Sequence, residues 1–245
     1  MRSRASGSSS TMRVRTFIPP FPRVFTAAMR LLGPRAKSRS IDGVITDPSI
    51  DLIVTAAIPS ERGDIAVRAL RAGKHLLGEK PFGIDQTANA AILAAIGEHP
   101  DLLVRCSSEF PYFPGAYRIG QWAREGRFGK IIEVESGLWH SSDLDPRKPI
   151  NWKRRIATCG EYGCLGDLGM HVVHLPFRLG WTPADVRALL SKIITERPGK
   201  DGASVPCETW DNAILATRVE TADQAFPMIL STMRIAPGHA NSWFI

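Results

Sequence analysis

From Asp51 onward the apolar residues follow two alternating rhythms. "DLIVTAA" (51–57) is an unbroken apolar, β-branched run bounded by turn residues, the pattern of a strand buried on both faces. In "SERGDIAVRALRAG" (60–73), Ile65, Ala66, Ala69 and Leu70 instead form one stripe at helical spacing, with Ser60 placed to cap the helix and Gly73 to end it. "KHLLGEK" (74–80) reads as a second strand, Asp85 caps an alanine-rich helix over 85–99, and "DLLVRCSS" (101–108) reads as a third strand. Strand, helix, strand, helix, strand at these lengths predicts right-handed crossovers in a parallel sheet.

Either side of this unit the pattern changes. Residues 1–15, "MRSRASGSSSTMRVR", are Ser/Arg-rich with little apolar content, which predicts a disordered tail. "VFTAAMRLLG" (24–33) has helical spacing ended by Gly33, and "SIDGVITDPS" (40–49) reads as a short helix or turn. After residue 108, "FPGAYRIGQWAREGRFGK" predicts a helix ended by Gly126, and "KIIEVESGLWH" alternates like a strand with one solvated face. Residues 141–165 read as a long polar loop, "GDLGMHVVHLPFRLGW" (166–181) as a helix, and the remainder mostly as strands. The expected fold is therefore α/β: a partial Rossmann-like parallel sheet over 16–107, then an incomplete α+β domain over 108–245 with a mostly antiparallel open sheet.

Composition narrows the function. The net charge of +7 comes from the head: residues 1–40 carry nine basic residues and no acid, while 22 basic face 24 acidic residues from position 41 onward. No folded basic face interleaved with aromatic readers is visible, so no nucleic-acid partner is expected. No run approaches the length of a membrane span, so no membrane partner is expected either. The four cysteines form neither a CxxC pair nor a dense framework, which fits reduced thiols and a cytoplasmic location.

Two stretches carry candidate chemistry. In "LLGEKPFGID", Glu79, Lys80 and Pro81 fall at the carboxyl end of a parallel strand, where open α/β sheets bind ligands. Proline turns the backbone out of the sheet so that Lys80 projects over its edge, either toward a ligand or merely into solvent. In "GDLGMHVVH", Asp167, His171 and His174 share one helical stripe, and an ionised Asp one turn from a His predicts contact and a more basic imidazole. The pair suits general acid–base work, but a helix-capping Asp with a satisfied His has the same spacing. A metal site on the three residues lacks an evident fourth ligand, and none is assigned. Glycines 160, 163, 166 and 169 leave a bare backbone that can approach a flat ligand, or serve simple turns.

Together, "GKHLLGEKPFGID" and, about 90 residues later, "GDLGMHVVHLP" resemble the family of glucose–fructose oxidoreductase and inositol dehydrogenase, over roughly residues 41–245. The resemblance implies a dinucleotide-binding domain, NAD or NADP as cofactor, a sugar or polyol substrate, and homo-oligomers formed through the second-domain sheet. It implies catalytic roles for Lys80, Asp167 and His171, with Lys80 at the nicotinamide and substrate hydroxyl and His171 exchanging the proton. Ala57, Ile58, Pro59, Glu79, Lys80 and Pro81 would border the cofactor, and Asn151, Trp152, Asp167 and His174 the substrate.

The chain departs from that family pattern in three places. No strand followed by G-x-G-x-x-G opens it, Gly63 stands where the family often has histidine, and His174 stands where it usually has an acid. Both ends read as truncated. Loss of the glycine-rich loop implies weakened dinucleotide binding, and the alternative reading is a non-catalytic fragment or interaction module that associates through its second-domain sheet.

Overall fold

The computed structural model describes residues 14–17, 40–238 and 240–244. Its first sheet has four strands in the order β1 (Val14–Phe17), β2 (Leu52–Thr55), β3 (His75–Glu79) and β4 (Val104–Ser107), every neighbouring pair parallel. Val14 and Arg15, read from sequence as tail, pair with Leu52 and Ile53 within β1. The helix expected over 24–33 and most of the tail lie outside the described residues.

Helix α1 (Ile41–Ile45) is capped by Ser40, whose hydroxyl accepts from the Gly43 amide. Helices α2 (Pro59–Arg71) and α3 (Gln86–Glu98) form the two crossovers. Their apolar stripes, Ile65, Ala66, Ala69 and Leu70 on one and Ile92 and Ala95 on the other, close with Ile53 and Leu76 into one core. The short alanine side chains let α2, α3 and the sheet pack closely. Asp85 caps α3 as its spacing predicts, accepting from the Ala88 amide at 2.7 Å. Ser60 does not cap α2: Ile58 takes the N-cap and the helix starts two residues earlier than such a cap would set it, at Pro59. Proline's fixed φ and missing N–H suit that position, where the amide would have no helical partner.

Helix α4 (Pro114–Arg124) leads to β5 (Val134–Trp139). The segment 141–165 is more structured than its polarity predicts, with a 3₁₀ turn at Trp152–Arg154 and helices α5 (Ile156–Cys159) and α6 (Cys164–Asp167). Buried ion pairs of Arg154 with Asp143 and Asp211 anchor it, and Arg197 donates to the carbonyls of Asp143, Asp145 and Lys148. Helix α7 (Gly169–Arg178) then packs on the second sheet.

That sheet comprises β6 (Pro183–Ser191), β9 (Asn212–Glu220), β10 (Ala225–Met233) and β11 (Ala240–Phe244) with β5, in the order β11-β5-β10-β9-β6. Its pairings are antiparallel except β5 with β10, while β7 (Glu196–Pro198) and β8 (Ser204–Pro206) make a separate hairpin. Val134, Leu138, Met228 and Leu230 project beneath α7, where Val172 joins them, and the Ser136 hydroxyl donates to the Val172 carbonyl at 2.8 Å. Most of β6 is exposed. The architecture is thus the expected parallel α/β sheet followed by an α+β unit with a mostly antiparallel sheet.

Candidate active site

Lys80 leaves the carboxyl end of β3 just before Pro81, and its ammonium reaches across to the second unit. Lys80 Nζ donates to Asp167 Oδ1 at 2.9 Å and to the Asp167 main-chain carbonyl at 2.7 Å. The other carboxylate oxygen, Oδ2, faces Arg234 at 3.0 Å and Lys153 at 3.1 Å. Three cations therefore surround one buried carboxylate. Burial alone would raise the Asp167 carboxyl, but Lys80, Lys153 and Arg234 outweigh it and hold the group well below the usual carboxylate range.

Lys153 and Arg234 were not singled out from sequence. Lys153 lies inside the "NWKRR" segment but looks like any surface lysine, and Arg234 closes an ordinary apolar strand. The fold joins them: Arg234 donates to the Lys153 carbonyl at 3.1 Å, Thr209 donates to the same oxygen at 2.8 Å, and the Lys153 ammonium lies 5.4 Å from the Trp152 ring centre. A basic residue immediately after the Asn151–Trp152 pair was the one available signal.

His171 departs from expectation. Helix α6 ends at Asp167 and α7 starts at Gly169, so Leu168 interrupts the shared stripe, and the Asp167 carboxylate turns toward the cations instead of the imidazole. His171 is buried with its ring 4.2 Å from that of Phe110, and its Nδ1 has no hydrogen-bond partner among the described residues. Its basicity falls where the spacing predicted a rise. Burial and then the Lys80 charge push its pKa down to about 4, outweighing the opposing pull of Glu109 and Asp167. His171 is therefore neutral near pH 7.

The remaining candidates divide between the site and its frame. His174 Nε2 accepts from Arg178 Nε at 3.2 Å, and Arg178 also donates to the Tyr112 hydroxyl at 2.6 Å. A cavity of about 290 Å³ beside them is lined by Lys80, Cys106, Ser108, Tyr112, His174 and Arg178, among others. Asn151 spends its side-chain oxygen capping the 3₁₀ turn, accepting from the Lys153 amide at 2.9 Å, and Trp152 beside it is half-buried. Ala57 and Pro59 are buried at the exit of β2, Ile58 is half-buried between them, and Glu79 is exposed beside Lys80. All four cysteines are free thiols, and no three metal-ligating side chains converge among the described residues.

Two glycines of the run, Gly160 and Gly163, pack against neighbouring backbone, and Gly166 and Gly169 lie against the side chains of Tyr162 and Leu165. Gly160 has φ +86°, and a Cβ there would collide with the Ile84 carbonyl in the segment that follows Lys80. Gly163 has φ +55°, and a Cβ there would lie 2.6 Å from the Trp210 amide nitrogen. The first glycine lets the second unit dock against the Lys80 loop, and the second lets α6 lie against the chain entering β9.

The structure thus brings the Lys80 ammonium from a parallel-strand exit onto the Asp167 carboxylate of the second unit, and leaves His171 outside the Asp–His contact that its spacing predicts. Over 183 residues the chain is 26% identical to levoglucosan dehydrogenase of Pseudarthrobacter phenanthrenivorans, a match covering 75% of this chain and 46% of that protein. It is 32% identical over 138 residues to D-xylose dehydrogenase of Paenarthrobacter nicotinovorans, covering 55% of this chain and 34% of that one. A solved structure of levoglucosan dehydrogenase in complex with NADH and levoglucosan superposes with a TM-score of 0.81 at 25% identity, covering 91% of this chain and 58% of that one. The chain is thus similar, in sequence and in fold, to sugar and polyol dehydrogenases such as these. No protein-family model matches it. The chain spans less than half the length of the two dehydrogenases it was aligned with. Lys80 comes from the parallel sheet, and Asp167 and His171 from the segment packed on the mixed sheet. No helix among the described residues is long and apolar enough to cross a membrane.

Proposed function

We propose that this protein is an NAD-dependent oxidoreductase that interconverts a hydroxyl and a carbonyl on a small sugar or polyol. The single observation that carries the reading is the Lys80–Asp167 contact between two units, with a buried neutral His171 one turn further on. Relatives named for levoglucosan and D-xylose, and a neighbour solved with NADH, support the substrate class and the choice of cofactor.

The residues at the reacting end fit such a cofactor and substrate. His171 Nδ1 is buried with no hydrogen-bond partner among the described residues, a polar atom that a bound ligand could satisfy, and the backbone of Ala57 to Pro59 lies at the neighbouring strand exit. The far end differs: this sequence contains no G-x-G-x-x-G to receive the pyrophosphate. When bound, a nicotinamide dinucleotide supplies the hydride acceptor. The chain's own groups handle charge and proton. Lys80 holds the substrate oxygen by its ammonium and stabilises the alkoxide as the proton leaves. His171, neutral at working pH, takes that proton. Asp167 aims the Lys80 ammonium, while Lys80, Lys153 and Arg234 together keep Asp167 ionised. The cavity of about 290 Å³ that Lys80 lines with Tyr112, His174 and Arg178 would receive the sugar.

Dinucleotide reduction with a panel including levoglucosan, D-xylose and inositol, at high NAD concentration, tests the reading. We expect turnover on at least one sugar by the wild type, falling about a hundredfold or more in K80M and in H171A. Equal background rates in all three proteins would overturn it.

A further inference from the structure

Arg62 is absent from the catalytic set, yet it is among the most buried charged side chains of the parallel-sheet unit, 4% exposed. It sits in the first turns of α2, on a helix whose other buried residues are apolar apart from Gly63. Its two terminal nitrogens divide between two loops. Nη1 donates to the carbonyl of Pro81 and Nη2 to the carbonyl of Ala57, while Nε has no hydrogen-bond partner among the described residues. Burying a guanidinium with one donor unpaired is unfavourable, so the two bonds it makes must compensate. Ala57 opens the β2–α2 turn, and Pro81 is the residue after Lys80. The fork thus spans the exits of two adjacent parallel strands, which carry the backbone segments assigned to the cofactor's border.

We infer that Arg62 is a positioning residue: its guanidinium clamps the Ala57 and Pro81 carbonyls and so fixes where the Lys80 ammonium stands. The inference deepens the dehydrogenase reading above and rests on it for its catalytic consequence. The geometry supplies the reason that arginine serves here. A planar fork with two terminal donors can hold two carbonyls at a fixed separation, which a single ammonium cannot. Downstream, the same loop is tied by Gly83, whose amide donates to Asn89 Oδ1 at 3.0 Å, and by the close approach of Gly160 to Ile84. Lys80 lies upstream of both ties. Arg62 therefore anchors the side of the loop nearest the reacting group. Glu79, Cys106 and Asp167 are the charged or titratable groups whose fields reach the guanidinium. It adds positive potential beneath the Lys80–Asp167 pair without touching it.

The test compares the full chain with R62M, R62K and R62A by hydrogen exchange, mass-resolved for peptides covering 55–59 and 79–84. In R62M we expect exchange in both segments to rise about tenfold or more, with β9 and β10 unchanged. R62K should free at least one of the two segments, and millimolar guanidinium added to R62A should return both toward wild type. With a sugar the wild type turns over, kcat should fall about tenfold or more while KM for the sugar moves less than about threefold, the mark of a misplaced group. Unchanged exchange in both segments of R62M, or of R62K should R62M not fold, overturns the inference, as does a uniform rise across the chain. A wild type with no dinucleotide-linked activity would instead count against the dehydrogenase reading, and the exchange data would still decide the role of Arg62.

Discussion

Lys80 and Asp167, 87 positions apart in the chain, meet through two hydrogen bonds from one ammonium, to a carboxylate oxygen at 2.9 Å and to the main-chain carbonyl at 2.7 Å. The contact joins the parallel-sheet unit to the mixed-sheet unit, and both partners are largely shielded from water, with side chains 16% and 5% exposed. Removing either partner leaves charge without its counterpart, but the two removals are unequal.

Substituting Asp167 strips the shared anion from Lys80, Lys153 and Arg234 at once, whereas substituting Lys80 leaves Asp167 with two cations. We expect D167N to cost about 3–5 kcal/mol of stability and K80M distinctly less. Because the folded carboxyl is held below its ordinary value, its stabilisation is complete above about pH 4–5 and declines as pH falls further. Urea unfolding at a series of pH values should show that acid-side loss in the wild type and a flatter profile in D167N.

His171 should titrate near pH 4 in the folded chain, not near its ordinary value of 6.5. The unfolded chain then takes up a proton that the folded chain refuses, so this group makes stability fall as pH drops from about 6.5 to about 4. An imidazole NMR titration checks the midpoint. Replacement by phenylalanine should remove that part of the slope. For hydroxyl oxidation, no loss of rate near pH 6.5 should be traceable to His171.

Gly160 holds the second unit against the Lys80 loop in a backbone conformation that side chains rarely adopt, with no room for a Cβ beside the Ile84 carbonyl. G160A should therefore lower stability by about 1–3 kcal/mol and reduce turnover as well, because the displaced segment carries Lys80. Gly126, also at positive φ but with open space around it, is the control. G126A should cost about 1 kcal/mol and leave turnover alone. Thermal melts beside initial rates separate the two outcomes.

We propose that these 245 residues, which contain no G-x-G-x-x-G, lack charge-assisted hydrogen bonds to the pyrophosphate worth about 1.5–3 kcal/mol each. Two such losses weaken binding about a hundredfold or more. Calorimetric titration of NADH and NADPH should give dissociation constants well above micromolar, and a micromolar value would show that other residues hold the pyrophosphate.

Much of the architecture was legible from residue order because it depends on local chemistry. The β-branched run before Pro59 and the alanine stripe capped by Asp85 can hardly form anything but a buried strand and a packed crossover helix. Ser60 misled because serine and proline both favour helix starts, and proline's fixed φ won the first position. Lys80, Asp167 and His171 stood out through the spacing of two motifs. Their electrostatics did not: spacing predicted an Asp–His pair, but a break at Leu168 and three converging cations drew the carboxylate away.

Amino-acid order by itself determined most of the strands and helices of the parallel unit, because those follow from patterns within about 15 residues, and two motifs about 90 residues apart drew attention to Lys80, Asp167 and His171. Only the tertiary structure decided the rest: that Lys153 and Arg234 share Asp167, that His171 is neutral, that Gly160 and Gly163 serve packing, and that Arg62 bridges two strand exits. Charge interactions and close backbone contacts depend on distance and burial in space, which residues 20 to 90 positions apart acquire only when the chain has closed on itself.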